Sequence, residues 1–168
     1  MNEDLIEALV KVARTRAEGQ WPDQLDLDVF HRLLEAPVPA VVMVDDVAVA
    51  RHIRDVVAAV LVDGTDAEAR STLNSVAETY AIVPRTDENG LYFLSLSGIA
   101  EGALWAQILA DLMQAVSEGC RDRIGRCVSA PCIAPFLDTS TAGVREFCSA
   151  RCATRARVRR HRSKVSSS

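Results

Sequence analysis

Arg126-Cys-Val-Ser-Ala-Pro-Cys-Ile133 and, with fifteen residues between its second cysteine and the next, Cys148-Ser-Ala-Arg-Cys152 decide how the C-terminal part of this chain is built. The spacing Cys-x4-Cys-x15-Cys-x3-Cys groups Cys127, Cys132, Cys148 and Cys152 into two close pairs. Local backbone geometry holds the two thiolates of each pair near one another, so each pair can bite one ion. Zinc suits such a set. It takes four soft or borderline ligands in a tetrahedron with Zn–S near ~2.3 Å, and four thiolates leave no position open for water or substrate. The expected metal is therefore one structural Zn2+ that holds the fold and performs no chemistry.

Pro131 and the small residues around it suit a tight turn in the first pair. Ser149 can cap a helix that begins at the second pair and presents Cys148 and Cys152 on one face. Pro135 to Asp138 reads as a short strand and Thr139 to Gly143 as a turn. The expected order is knuckle, hairpin, helix, the outline of a treble-clef finger. Disulfides are the rival reading, since four cysteines can pair in three ways in an oxidising compartment. The opening Met1-Asn-Glu-Asp-Leu5 is acidic and unlike a secretion signal, so a cytoplasmic location and reduced thiols are expected. Cys120 falls outside the pattern and reads as a buried or incidental thiol.

These residues carry a resemblance. Cys127 to Arg162, with Cys-x4-Cys-x3-Phe136-Leu-Asp-Thr-Ser140, Arg145-x-Phe147-Cys-Ser149 and Cys152-Ala-Thr-Arg155, resembles the CGNR zinc-finger family. The helical segments upstream resemble, more loosely, the ABATE domain that precedes the finger in those proteins. The resemblance implies a bacterial transcription regulator linked to stress. The family's Cys-Gly-Asn-Arg signature reads Cys152-Ala153-Thr154-Arg155 here, keeping the ligand and the arginine and replacing the Gly-Asn pair. The Leu-Asp-Leu-Val-Asn-Thr type of motif near the family's N-terminus is also missing, and the chain has Leu9-Val-Lys-Val-Ala-Arg-Thr-Arg16 in its place. A ligand site built around that motif is therefore not expected.

At 168 residues and 49% hydrophobic content the chain can bury one core with a finger appended. We expect an α-rich body over 1–120 and the finger with its basic helix over 121–168. Charge divides along the same line. From Arg121 to Lys164 there are 11 Lys/Arg against three acids, a net +8, and the remaining 8 basic and 20 acidic residues give −12. Four thiolates with Zn2+ contribute −2, so the C-terminal third stays near +6. A polyanion responds to that local potential and not to the whole-chain −4.

The body reads as helices over about Asn2–Arg16, Asp26–Glu35 after Trp21-Pro22, Asp46–Val62 and Asp66–Tyr80, with Pro37 and Pro39 breaking the chain. Ala81–Pro84 and Leu91–Leu96 read as strands joined across Asn89-Gly90, the first an edge strand because of Pro84. Gly98 to Gly119 reads as an amphipathic helix with Leu104, Trp105, Ile108, Leu109, Leu112 and Val116 inward. The fold class is α+β: a predominantly helical body with one β-hairpin, then a C-terminal treble-clef zinc finger with a terminal basic helix. Only Ser163 to Ser168 reads as a frayed tail.

No catalytic constellation emerges, and an enzyme is not expected. His31, His52 and His161 lack cysteine or carboxylate neighbours at motif spacing, and no phosphate loop or Gly-x-Ser-x-Gly elbow occurs. Asp45-Asp46 reads as a helix cap. Tyr92, Phe93 and Trp105 are candidates to line an apolar effector pocket, although each is also ordinary core. The arginine run is the stronger signal. Arg151, Arg155, Arg159 and Arg162 form one stripe of the last helix, and Arg157, Arg160, His161 and Lys164 another. Arginine favours forked contacts with phosphates and guanine edges, and such a helix fits a major groove. DNA is thus the expected partner, with Arg151, Arg155, Arg157, Arg159, Arg160, Arg162 and Lys164 as contacts. A homodimer and a small-molecule effector are further expectations, and no membrane association is. The alternative is a protein-interaction or small-molecule-binding protein in which the finger is only a staple.

Overall fold

Local capping sets where the helices begin. In α1 (Glu3–Ala13) the Asn2 side chain accepts from the Leu5 N–H at 3.2 Å, and Leu5, Ile6, Leu9 and Ala13 are buried on one face. After α2 (Leu27–Leu34), the Asp46 carboxylate accepts from Ala48 N–H at 2.7 Å to start α3 (Val47–Leu61). Thr65 and Glu68 form a capping box at the head of α4 (Asp66–Thr79). The computed structural model describes residues 2–16, 22–34 and 44–165. Trp21, Glu35, Pro37, Pro39, the last residues of the expected tail and the side chain of Lys164 lie outside them.

The hairpin β1 (Ile82–Asp87) and β2 (Gly90–Ser95) is antiparallel, with Val83 opposite Leu94 and Asp87 opposite Gly90. The first strand runs three residues beyond Pro84, where the sequence reading stopped it. Leu96 N–H donates to Ala81 C=O at 3.1 Å, so the hydrogen-bonded pairs are Ala81–Leu96, Val83–Leu94 and Arg85–Tyr92. Pro84 therefore sits opposite Phe93 at a pair that needs no cross-strand N–H, and the proline costs the ladder nothing. Next, α5 (Ala100–Ser117) buries Leu104, Trp105, Ile108, Leu109, Leu112 and Val116 and packs on α4, α1 and β2. No helix is long and apolar enough to cross a membrane among the described residues.

A single 3-10 turn over Cys120–Arg123 leads into β3 (Ile124–Arg126), which pairs antiparallel with β4 (Pro135–Leu137). The expected hairpin after the first cysteine pair is corrected here. Pro135–Leu137 finds its partner upstream, in Ile124–Arg126, so the hairpin encloses the Cys127–Cys132 knuckle instead of following it. Arg126 opposite Pro135 places the two strand ends at the base of the knuckle. The strand β4 packs on α1, and Leu137 belongs to the same buried cluster as the helices. The last helix, α6 (Ala150–Val165), continues past Ser163, where the sequence reading expected a frayed tail to begin.

Arg121 ties the two parts together. Its guanidinium donates to the carbonyls of Val60, Asp63 (2.8 Å) and Gly64 (2.7 Å), the orphan acceptors at the end of α3, and its Nε pairs with Asp66 at 2.8 Å. Asp63 in turn accepts from Arg16 at 2.8 Å and Arg126 at 3.1 Å. Asp66 is half exposed, so the carbonyl contacts carry most of the effect. We expect Arg121→Ala to lower unfolding stability by about 1–2 kcal/mol, measured by urea denaturation of the zinc-loaded protein, because three carbonyls at the end of α3, two half-buried and one exposed, lose a charged donor.

Candidate metal centre

The first ligand pair is shaped by a tight turn. Cys132 N–H donates to Ser129 C=O at 2.8 Å, Cys127 N–H to Ala134 C=O at 3.1 Å, and the Ala130–Pro131 peptide is cis. This curls the chain so that both sulfurs lie on its inner side. The second pair is set by a helix start. Ser149 caps α6, its Oγ accepting from Cys152 N–H at 3.3 Å while its carbonyl accepts from Ala153 N–H at 3.1 Å. Cys148 stands immediately before the cap and Cys152 in the first turn. The expected cap is observed; Cys148 lies outside the helix, one residue before the cap, and the approach of its sulfur to that of Cys152 comes from the turn into α6 and not from a helical face.

All four Sγ atoms lie within 4.8 Å of one another, and Cys148 is 3.7 Å from both Cys132 and Cys152. A tetrahedron with Zn–S near ~2.3 Å has edges of about 3.8 Å, so this arrangement fits one zinc ion. Cys127 and Cys152 are buried and Cys132 and Cys148 half-buried. Without a cation such crowding opposes ionisation. Burial pushes the Cys148 thiol up to about 12, and burial also raises Cys132, whereas the Ser149 hydroxyl brings Cys152 down to about 7. The Cys152 thiolate is thus within reach at neutral pH, whereas Cys132 and Cys148 need a divalent ion to hold their charge. The donor set and its geometry support a structural zinc with no open coordination position.

Residues between the pairs brace the ligands, in roles that the family pattern alone did not specify. Asp138 accepts from Ser140 N–H at 2.9 Å and from Arg145 N–H at 2.8 Å, folding the loop back toward the centre. The Ser140 and Arg145 contacts hold its carboxyl down at about 2, so it is ionised throughout the range in which thiolates bind metal. Arg145 lies 5.3 Å above the Phe136 ring and donates to the carbonyls of Phe147 (2.8 Å) and Cys148 (3.0 Å). Arg123 donates to the carbonyls of Asp138 and Ser140. Gly143 stands beside its guanidinium, where φ is +63°, a conformation that favours glycine, and a Cβ would come to 3.1 Å of Nη1.

The basic residues of the last helix divide. Arg159 turns toward the knuckle and donates to Ala130 C=O, so it braces the finger. The guanidinium groups of Arg151, Arg155, Arg157 and Arg160 have no hydrogen bond or ion pair among the described residues. Arg162 has a partner of its own. His161 is exposed, facing away from the metal as its offset of nine residues from Cys152 requires. Ala153 and Thr154, at the positions of the Gly-Asn pair, lie within the first turns of α6, where alanine favours the helix more than glycine does.

Other candidates disperse. His31 Nε2 lies 2.7 Å from Val44 C=O, and His52 Nε2 lies 3.8 Å from Glu101 on α5. Cys120 is buried in the main core apart from the four ligands, and burial raises its thiol. Tyr92 and Phe93 do line one cleft, with Ala106, Gln107 and Ala110 of α5, whereas Trp105 is fully buried and faces the core.

Elemental analysis should find one zinc per chain. Cys148→Ser should cut that below a tenth, and Arg145→Ala should keep the stoichiometry while weakening affinity by roughly tenfold, read by competition with a chelating dye.

Comparison with known proteins agrees with this geometry. Residues 123–164 match the family model of the CGNR zinc finger, a span that holds all four ligands, both strands of the enclosing hairpin and nearly all of α6. No curated protein matches the chain. The C-terminal quarter of this chain is therefore a CGNR zinc finger, a four-cysteine module built to hold one structural zinc.

Proposed function

We propose that the chain is a zinc-dependent DNA-binding protein acting as a transcription regulator in the cytoplasm, with residues 121–168 meeting DNA and residues 1–120, an ABATE-like body, sensing or dimerising. The observation that carries this reading is the set of unengaged arginines on the solvent sides of α6. Four arginines in three helical turns repel one another, and Arg151, Arg155, Arg157 and Arg160 have no internal acceptor to relieve that repulsion. Phosphates relieve it.

Geometry supports the same partner. With Cys152 and Arg159 turned to the finger, a rise of 100° per residue puts Thr154, Arg157 and His161 on the opposite side of α6. Arg151 and Arg155 fall on one flank and Arg160 on the other. At sixteen residues α6 is about 24 Å long and, at about 10–12 Å across, fits the major groove. The zinc centre fixes its first turn. Charge alone gives phosphate binding, and Thr154, Arg157 and His161 are placed to reach base edges where a sequence is read.

A titration of the full chain on duplex DNA tests this. Four phosphate contacts give a slope of log K against log salt of about −3 to −4. Arg157→Ala should weaken binding and flatten that slope by about one unit while leaving zinc content unchanged. Arg159→Ala should act through the finger, raising zinc loss before it changes the slope. Retained zinc with no salt-sensitive DNA binding at low ionic strength would sink the proposal and leave the finger as a staple in a protein- or small-molecule-binding protein.

A further inference from the structure

Nine large apolar side chains are exposed among the described residues, and five of them, Leu91, Tyr92, Leu94, Leu96 and Ile99, fall within nine residues at and just beyond β2. Leu91 is 67% exposed and Leu96 56%; Tyr92, Leu94 and Leu96 alternate onto one face of the hairpin, and Leu91 lies on the face toward α5. The strand itself has an open edge. Because the hydrogen-bonded pairs run through Val83–Leu94 and Arg85–Tyr92, the backbone N–H and C=O of Leu91 and Phe93 point away from β1, toward that edge. The outer edge of β1 is blunted by Pro84 and flanked by Arg85 and Asp87, whereas Gly90 to Ser95 has neither proline nor charge. Behind the edge a cleft of about 480 Å³ separates Leu91 and Phe93 from the small residues Ala106 and Ala110, so α5 stands back from the strand.

We infer that β2 is the dimerisation edge of this protein, pairing antiparallel with β2 of a second copy about a two-fold axis at Tyr92. A two-fold axis perpendicular to the sheet maps each face onto itself, so the register must centre on a residue. Centred on Tyr92, it sets Leu91 opposite Phe93 of the second copy and Phe93 opposite its Leu91. All four outward-pointing residues then exchange N–H···O bonds in two closely spaced pairs. Gly90 falls opposite Leu94 of the second copy, and the two Tyr92 side chains meet on the exposed face beside both Leu94 side chains. The product is a four-stranded antiparallel sheet with β1 at each rim.

Self-pairing is favoured over a foreign strand because the edge matches its own reversal in both hydrogen-bond phase and apolar character, with no charge to choose another partner. One strand edge with a few apolar side chains is small beside the roughly 800 Å² per partner of a standard interface, so we expect a weak, concentration-dependent dimer and not an obligate one. This inference deepens the dimerising role proposed for the body, and its readout needs no DNA.

Sedimentation of the zinc-loaded full chain from about 2 to 200 µM tests it, with hydrogen exchange at both ends of that range. The expected result is a concentration-dependent dimer in which the Leu91 and Phe93 amides become protected. Leu91→Pro removes an outward N–H that β1 does not use, so it should leave the hairpin folded and weaken the dimer at least tenfold. Tyr92→Lys places two ammonium groups on the axis and should give monomer, whereas Val144→Lys, on the finger, should change nothing. A wild-type chain that stays monomeric at the highest concentration overturns the inference, whether or not the edge then accepts a strand of another protein. So does a dimer that survives both substitutions at full strength. Loss of DNA binding with the dimer intact would count against the DNA reading alone.

Discussion

Four sulfur atoms within 4.8 Å of one another set the constraint on which the C-terminal third depends. As thiols they pack without strong attraction, and as thiolates they repel, so only a divalent cation makes the charged arrangement favourable. The opposed tendencies of Cys148 and Cys152, one driven up by burial and the other brought down by the Ser149 hydroxyl, show how unevenly the protein alone distributes that charge. The ion does what a larger hydrophobic core would otherwise do. Between the knuckle and α6 there are only short strands and a polar loop, and the apolar contribution comes mainly from Phe136 and Leu137.

The uneven charge of the chain acquires two meanings from the structure. Part of the basic excess is consumed internally: Arg121 closes the end of α3, Arg126 meets Asp63, and Arg123, Arg145 and Arg159 bind carbonyls of the finger. These arginines join an acidic body to a basic finger and brace the metal ligands. Arg151, Arg157 and Arg160 face solvent along α6. A basic composition by itself does not distinguish arginines that brace the finger from those left to solvent, because both kinds have the same side chain and the same helix accommodates them. Which acceptor lies within reach separates them.

The body shows a similar division at its hairpin. Pro84 lies at a strand position whose N–H the ladder does not use, so one edge is closed without loss of pairing. The other edge keeps its donors and acceptors and a row of apolar side chains. An isolated hairpin is marginal in water, and contact with α5 stabilises one face of this one while leaving the edge accessible. The hairpin therefore stays anchored even though several of its large apolar residues face solvent.

The sequence by itself determined the ligand set, the helical stripes and the cap residues, because each depends on spacing within a few residues. Cys127, Cys132, Cys148 and Cys152 were legible from two short intervals, and the inward face of α5 from its 3.6-residue period. The partner of Pro135–Leu137 was not legible, since strand pairing is decided by which segment closes the nearest loop and buries Leu137 against α1. Nor were the roles of Asp138, Arg145 and Arg159, whose acceptors or donors lie up to 29 residues away. Only the tertiary structure decided those, because a long polar side chain commits to a partner only after the backbone has brought that partner within hydrogen-bonding distance.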